Sequence, residues 1–154
     1  MELSNILTPE AVRVIGQVSS KKRLFQKLGE IVGATYGLDA AAAVVALQNR
    51  ESLGPTGVGH GVALPHARIA GLTGVVGAFL RVEKPLDFDA VDRQPVDLVF
   101  TLFAPLDSGV EHLKALALVS RTMRDSAVCT KLRANSDPAT LHALLTNTQT
   151  NKAA

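Results

Sequence analysis

The chain has 154 residues, 47 % of them hydrophobic, and a mean hydropathy of +0.20, which suits a domain with a substantial core and excludes intrinsic disorder. Sixteen Lys and Arg against fourteen Asp and Glu leave a formal charge of +2, too little to imply a nucleic-acid partner, and one Tyr with no Trp offers few stacking platforms. The lone Cys129 excludes an internal disulfide, no apolar run approaches the roughly 20 residues of a membrane span, and the start MELSNILTPEAV lacks the profile of a signal peptide, so one cytoplasmic domain over residues 1–154 is expected.

In chain order, residues 5–12 read as an irregular lead-in broken by Pro9, and Val12 to Val18 as a first strand. Ser19 or Ser20 caps a helix whose Leu24, Leu28, Ile31 and Val32 follow helical spacing, with Gly37 at its end. Its first turn holds Lys21, Lys22 and Arg23, which oppose the macrodipole; they read as a solvent face, the alternative being an acidic partner. Asp39 caps a second helix to about Glu51, with Val44, Val45 and Leu47 expected inside and Arg50 delivered at its C-terminal end.

The stretch from Gly54 to Arg68, GPTGVGHGVALPHAR, packs four glycines, two prolines and two histidines into fifteen positions. Glycines 54, 57, 59 and 61 permit positive φ and let successive backbone N–H groups turn toward one point, the geometry of an anion-binding nest. Pro65 fixes its own φ and holds Leu64 extended, so His66 is presented from a stiffened strand end. Beyond it, Gly74 to Val82 and Val96 to Ala104 read as buried strands separated by a turn between Lys84 and Pro95. Ser108 and Glu111 form a capping-box pattern opening a helix with Leu113, Leu116 and Ala117 inward and Arg121 and Arg124 in its last turn. Asp125 or Ser126 caps a shorter helix to about Ala134, and Asp137 with Pro138 starts another to about Leu145, leaving a polar, frayed tail over about 146–154. Strands interleaved with helices indicate an α/β layer fold in which helices cover a mostly buried sheet.

A rigid histidine beside an anion cradle points to phosphoryl chemistry. Near neutral pH an imidazole with an ordinary pKa near ~6.5 is largely unprotonated, so His66 offers a lone pair to phosphorus. In-line transfer needs the equatorial oxygens neutralised, which N–H groups of Gly57, Gly59 and Gly61, the Thr56 hydroxyl and the forked guanidinium of Arg50 can supply, with Arg68 a further candidate. His112, near a positive helix end that should depress its pKa, can donate to a phosphoryl oxygen. The loop matches neither GxGxxG nor GxxxxGK(S/T), no GxSxG elbow exposes a serine, and His60, His66 and His112 lack the Cys pair or HExxH spacing of a zinc site, so no metal and no cofactor is expected.

Three segments, LGPTGVGHGVALPHAR, PLDFDAVDRQPVDLVFTLFAP and EHLKALALVSRTM, resemble the enzyme IIA domain of the phosphotransferase system, closest to the nitrogen-regulatory branch of its mannitol and fructose type. The likeness covers nearly the whole chain. It implies an α/β fold with a mixed, mostly parallel sheet flanked by helices on both faces. It makes His66 the residue phosphorylated by a small histidine phosphocarrier, Arg50 the phosphate-stabilising arginine and His112 the second active-site histidine. Family members often carry Asn where this chain has His60, which can alter loop electrostatics without touching the nucleophile. The resemblance also implies regulatory partners, among them a sensor kinase and potassium transport systems. The alternatives are a fructose or mannitol IIA that passes the phosphoryl group to an enzyme IIB, and a binding module that has lost transfer. No appended IIB, IIC or phosphocarrier domain is present in the sequence, which favours regulation. Docking of two histidines around one phosphorus should require an apolar rim, with some of Val62, Leu64, Ala67, Ile69 and Leu72 expected to be exposed around the site rather than all buried.

Overall fold

The structure, a computed structural model, describes the backbone of residues 1–153 and the side chains of residues 1–147. Short helix α1 (Leu3–Ile6) and a 3-10 turn (Pro9–Ala11) lead into β1 (Val12–Ile15), α2 (Lys21–Tyr36) and α3 (Ala40–Glu51). The central stretch holds β2 (Gly57–Gly59), β3 (Val62–Ala63), β4 (His66–Ile69), β5 (Val76–Leu86) and β6 (Val96–Pro105). The chain closes with α4 (Val110–Met123), α5 (Ser126–Arg133) and α6 (Pro138–Ala153).

The sheet runs in the order β1-β5-β6-β3-β2, with β4 also paired to β6. Pairs β1–β5, β3–β6 and β4–β6 are parallel, while β5–β6 and β2–β3 are antiparallel, so the sheet is mixed as expected, and helices flank it. Strand β6 is its apolar axis: Leu98, Val99, Phe100, Leu102, Phe103 and Ala104 are all buried, which is why its sequence shows no alternation. Segments β3 and β4 share one edge of β6, Val62 opposite Leu98 and His66 opposite Leu102, and the ladder breaks between them at Leu64 and Pro65. Proline has no N–H to give; instead its carbonyl accepts from Leu102 N at 3.0 Å and Thr101 Oγ1 at 2.8 Å, which fixes where His66 begins the next strand.

The helix caps follow the sequence. The Ser20 side chain accepts from Arg23 N, Asp39 from Ala42 N, and Asp125 from Ala127 N and Val128 N, while Gly37 ends α2 at a φ of 72°. Six expectations need correction. Residues 3–6 form a helical turn rather than an irregular lead-in, and β1 ends at Ile15. Ser108 caps nothing: Gly109 is the N-cap and makes no side-chain cap bond. Helix α4 is rotated by about one position, burying His112, Ala115, Leu118 and Val119 while Leu113 and Ala117 are exposed and Leu116 is half-buried. Val45 is likewise exposed, on the outer face of α3. Finally, α6 runs to Ala153 because nothing after Leu145 breaks a helix; neither Gly nor Pro occurs there.

Candidate phosphoryl-transfer site

His66 sits half-buried at the start of β4, and its Nδ1 lies 2.8 Å from the Leu64 carbonyl oxygen. A carbonyl only accepts, so Nδ1 carries the proton and Nε2 keeps its lone pair. The His112 ring, on the first turn of α4, packs edge-on against it, with centroids 5.6 Å apart and planes at 71°. Burial pushes the His66 pKa below its ordinary value; the Leu64 bond and the Glu51 charge oppose that shift, and Arg50 adds to it. His112 is also lowered, first by burial, then by His66 and Arg68. Both rings are therefore held neutral in a field of arginines. His112 Nε2 is buried with no hydrogen-bond partner among the described residues, as is Ser108 Oγ. A donor or acceptor left so is costly.

Arg50 stands on the last turn of α3 and donates from Nη1 to the Gly54 carbonyl at 3.0 Å. A single carbonyl leaves its charge uncompensated. Arg68, two residues after His66 and on an exposed position, donates from Nε to the Ser108 carbonyl at 2.8 Å and so ties β4 to the residue before the α4 cap. The arrangement thus combines a lone pair, a second imidazole and two guanidinium groups, the set needed to attack phosphorus and hold its oxygens.

The rest of the glycine stretch is not a nest around His66. Gly59 and Gly61 belong to the β2–β3 hairpin, whose turn residues His60 and Gly61 have φ of 58° and 78°, the two positive values that a type I′ turn needs. Val62 and His66 lie opposite positions four apart on β6, so the hairpin tip is roughly 13 Å or more from the nucleophile. His60 answers a local backbone demand there: its N–H goes to Asp92 Oδ2 and its carbonyl accepts from Arg133 Nη2. Arg133 also grips Asp97 with two bonds of 2.9 Å. Gly57 is required by packing, since a Cβ would stand 2.8 Å from Ala90 Cβ. Thr56 is 4 % exposed and its hydroxyl donates to Glu51 Oε1, leaving none of its hydrogen for a phosphate.

The anticipated rim is also misplaced. Val62, Leu64, Ala67 and Ile69 are buried and Leu72 is half-buried, whereas Leu106, Val110 and Leu113 are exposed on and before α4, beside His112. Sequence reasoning missed Glu51, which the structure makes the hub of the loop; the available signal was a carboxylate at a helix end five residues before a threonine in a turn rich in free N–H groups.

Residues 5–148 match the family described as phosphoenolpyruvate-dependent sugar phosphotransferase system, EIIA 2. The chain belongs to this EIIA 2 family. It is 41 % identical over 145 residues to a nitrogen regulatory protein of Bradyrhizobium diazoefficiens, covering 94 % of this chain and 95 % of the relative. The crystal structure of nitrogen regulatory protein IIA-Ntr from Neisseria meningitidis superposes with a TM-score of 0.87 at 36 % identity, over 94 % of this chain and 99 % of that one. Mannitol IIA from Escherichia coli shares the fold, with a TM-score of 0.71 at 20 % identity over 86 % and 95 % of the two chains. The EIIA 2 chain is thus a phosphotransferase-system component whose full-length relatives are nitrogen regulatory proteins. No described helix is long and apolar enough to cross a membrane.

Proposed function

We propose that this EIIA 2 protein accepts a phosphoryl group on Nε2 of His66 from a histidine phosphocarrier and that its phosphorylation state selects its regulatory partners. The observation that carries the reading is the 2.8 Å contact of His66 Nδ1 with the Leu64 carbonyl, which assigns the proton to Nδ1 and the lone pair to Nε2, in a ring packed against His112. The Nε2 lone pair forms the new N–P bond as the P–N bond of the carrier breaks, and that electron pair returns to the carrier's ring. Nδ1–H stays on Leu64, so the positive charge gained by the His66 ring is met by a carbonyl dipole. Arg50 and Arg68 offset the charge on the transferring oxygens, and the unpartnered His112 Nε2 gains a partner when an oxyanion arrives.

Once attached, the phosphoryl group adds about −1.5 to −2 charges to this surface, enough to change which partners dock. Regulatory targets of the sensor-kinase and potassium-transport type suit the full-length likeness to nitrogen regulatory proteins better than onward transfer to an enzyme IIB. The test is incubation with labelled phosphoenolpyruvate, enzyme I and the phosphocarrier, followed by addition of a fructose-type IIB. Label is expected on His66 and retained when IIB is added; rapid transfer to IIB would assign a sugar-branch role instead.

A further inference from the structure

Three cations in the first turn of α2 oppose its dipole, and one of them does not lie on a solvent face. Lys21 Nζ is 3.1 Å from Glu51 Oε2 and 4.6 Å from the Phe88 ring centroid. The Glu51 side chain is only 8 % exposed. Its carboxylate also accepts the Thr56 N–H at 2.9 Å and, on its other oxygen, the Thr56 hydroxyl. One buried carboxylate therefore joins the start of α2, the end of α3 and the residue where loop 52–56 passes into β2. Burial of such a charge is sustained only when its lone pairs are filled, and here three donors fill them.

Two short paths lead from this cluster to the site. Loop 52–56 contains Gly54, whose carbonyl takes the Arg50 Nη1 bond. Thr56 O accepts the Leu64 N–H at 2.9 Å, and Leu64 O holds His66 Nδ1. Arg50 is bonded to a loop carbonyl rather than to a carboxylate, so its direction follows the loop while its charge stays available. We propose that Lys21, Glu51 and Thr56 form a positioning cluster that fixes loop 52–56, aiming Arg50 at the phosphoryl group and holding His66 in its reactive tautomer. The proposal rests on Arg50 and His66 acting as described above. None of the three residues touches the phosphoryl group; Thr56 serves the site through Leu64.

The test combines labelling kinetics with NMR spectra that need no phosphoryl transfer. A misplacement of about 1 Å can cost on the order of 100-fold in rate. Glu51→Gln is expected to lower the saturating labelling rate about 10-fold to 100-fold, with the half-saturating carrier concentration unchanged. Thr56→Val should cost less, and the double variant no more than Glu51→Gln alone, because the two share one interaction. In nitrogen-15 spectra, the Arg50 Nη–H and His66 Nδ1–H signals should be resolved in the unaltered protein and broaden into exchange with water in Glu51→Gln. If Glu51→Gln does not fold, Thr56→Val carries the same two readouts. A folded variant with an unchanged rate and unchanged Arg50 and His66 signals would overturn the positioning role. Absence of labelling in the unaltered protein would instead overturn the function, while the NMR comparison still decides on the cluster.

Discussion

The proposed acceptor His66 has its pKa lowered by burial, which favours a neutral ring, and that state has consequences at single-residue scale. His66→Ala removes the acceptor, so covalent labelling should vanish while circular dichroism shows an intact fold. Arg50→Ala or His112→Ala should leave labelling possible but slower by roughly 30-fold to 1,000-fold, the effect of losing about 2 to 4 kcal/mol of charge stabilisation. Unchanged initial rates in both would assign those side chains to the fold alone. The lowered pKa values set a pH dependence with a definite sign. Between the lowered values and about 6.5, the unfolded chain binds protons that folded His66 and His112 refuse. Stability is therefore full above about pH 6.5 and declines as pH falls through that window. Urea denaturation at pH 7.5 and 5.5 should show a larger loss for the unaltered protein than for a His66→Gln, His112→Gln double variant, and equal losses would contradict the assignment.

At the scale of elements, what the sequence made legible were the helices whose caps are local events and the two long apolar strands. Ser20, Asp39 and Asp125 cap where a short polar side chain precedes an apolar helical pattern, a signal carried by neighbours in the chain. The glycine stretch was legible as unusual, and its His66 as the candidate acceptor, but not as a hairpin followed by an edge strand. The short β3 and β4 are defined by their partner β6, which lies about 36 positions away and leaves no local trace. The phase of α4 escaped because its inner face, His112, Ala115, Leu118, Val119, Thr122 and Met123, mixes polar with small and large apolar residues, while Leu113 offered an equally apolar alternative. The glycines can be told apart by substitution. Gly61→Ala places a Cβ 2.5 Å from Arg133 Nη2 and 2.9 Å from Asp97 Oδ1 at a φ of 78°, so it should cost about 1 to 3 kcal/mol. Gly54→Ala meets nothing within 4 Å and should stay within about 0.5 kcal/mol. Chemical denaturation separates the two, and equal costs would count against the hairpin geometry.

On the scale of the whole molecule, the sheet brings the end of α3, the start of β4 and the start of α4 to one place, and Leu106, Val110 and Leu113 are exposed on α4 and just before it. Leu113 is 67 % exposed and, with exposed Leu106 and Val110, forms the apolar face to test for carrier docking under the proposed function. A Leu106→Ser, Leu113→Ser variant should keep its melting temperature within about 2 °C yet need roughly 10-fold more phosphocarrier for half-maximal labelling. An unchanged requirement would move the docking face elsewhere. Under the proposed function one atom, Nε2 of His66, receives the phosphoryl group. Phosphorus-coupled nitrogen-15 NMR of the histidine-labelled protein, after incubation with phosphoenolpyruvate, enzyme I and the carrier, reads that atom directly. A single phosphorus coupling is expected, at His66 Nε2, with Nδ1 still protonated; coupling at Nδ1, at His112, or at no histidine would rule out transfer to that atom.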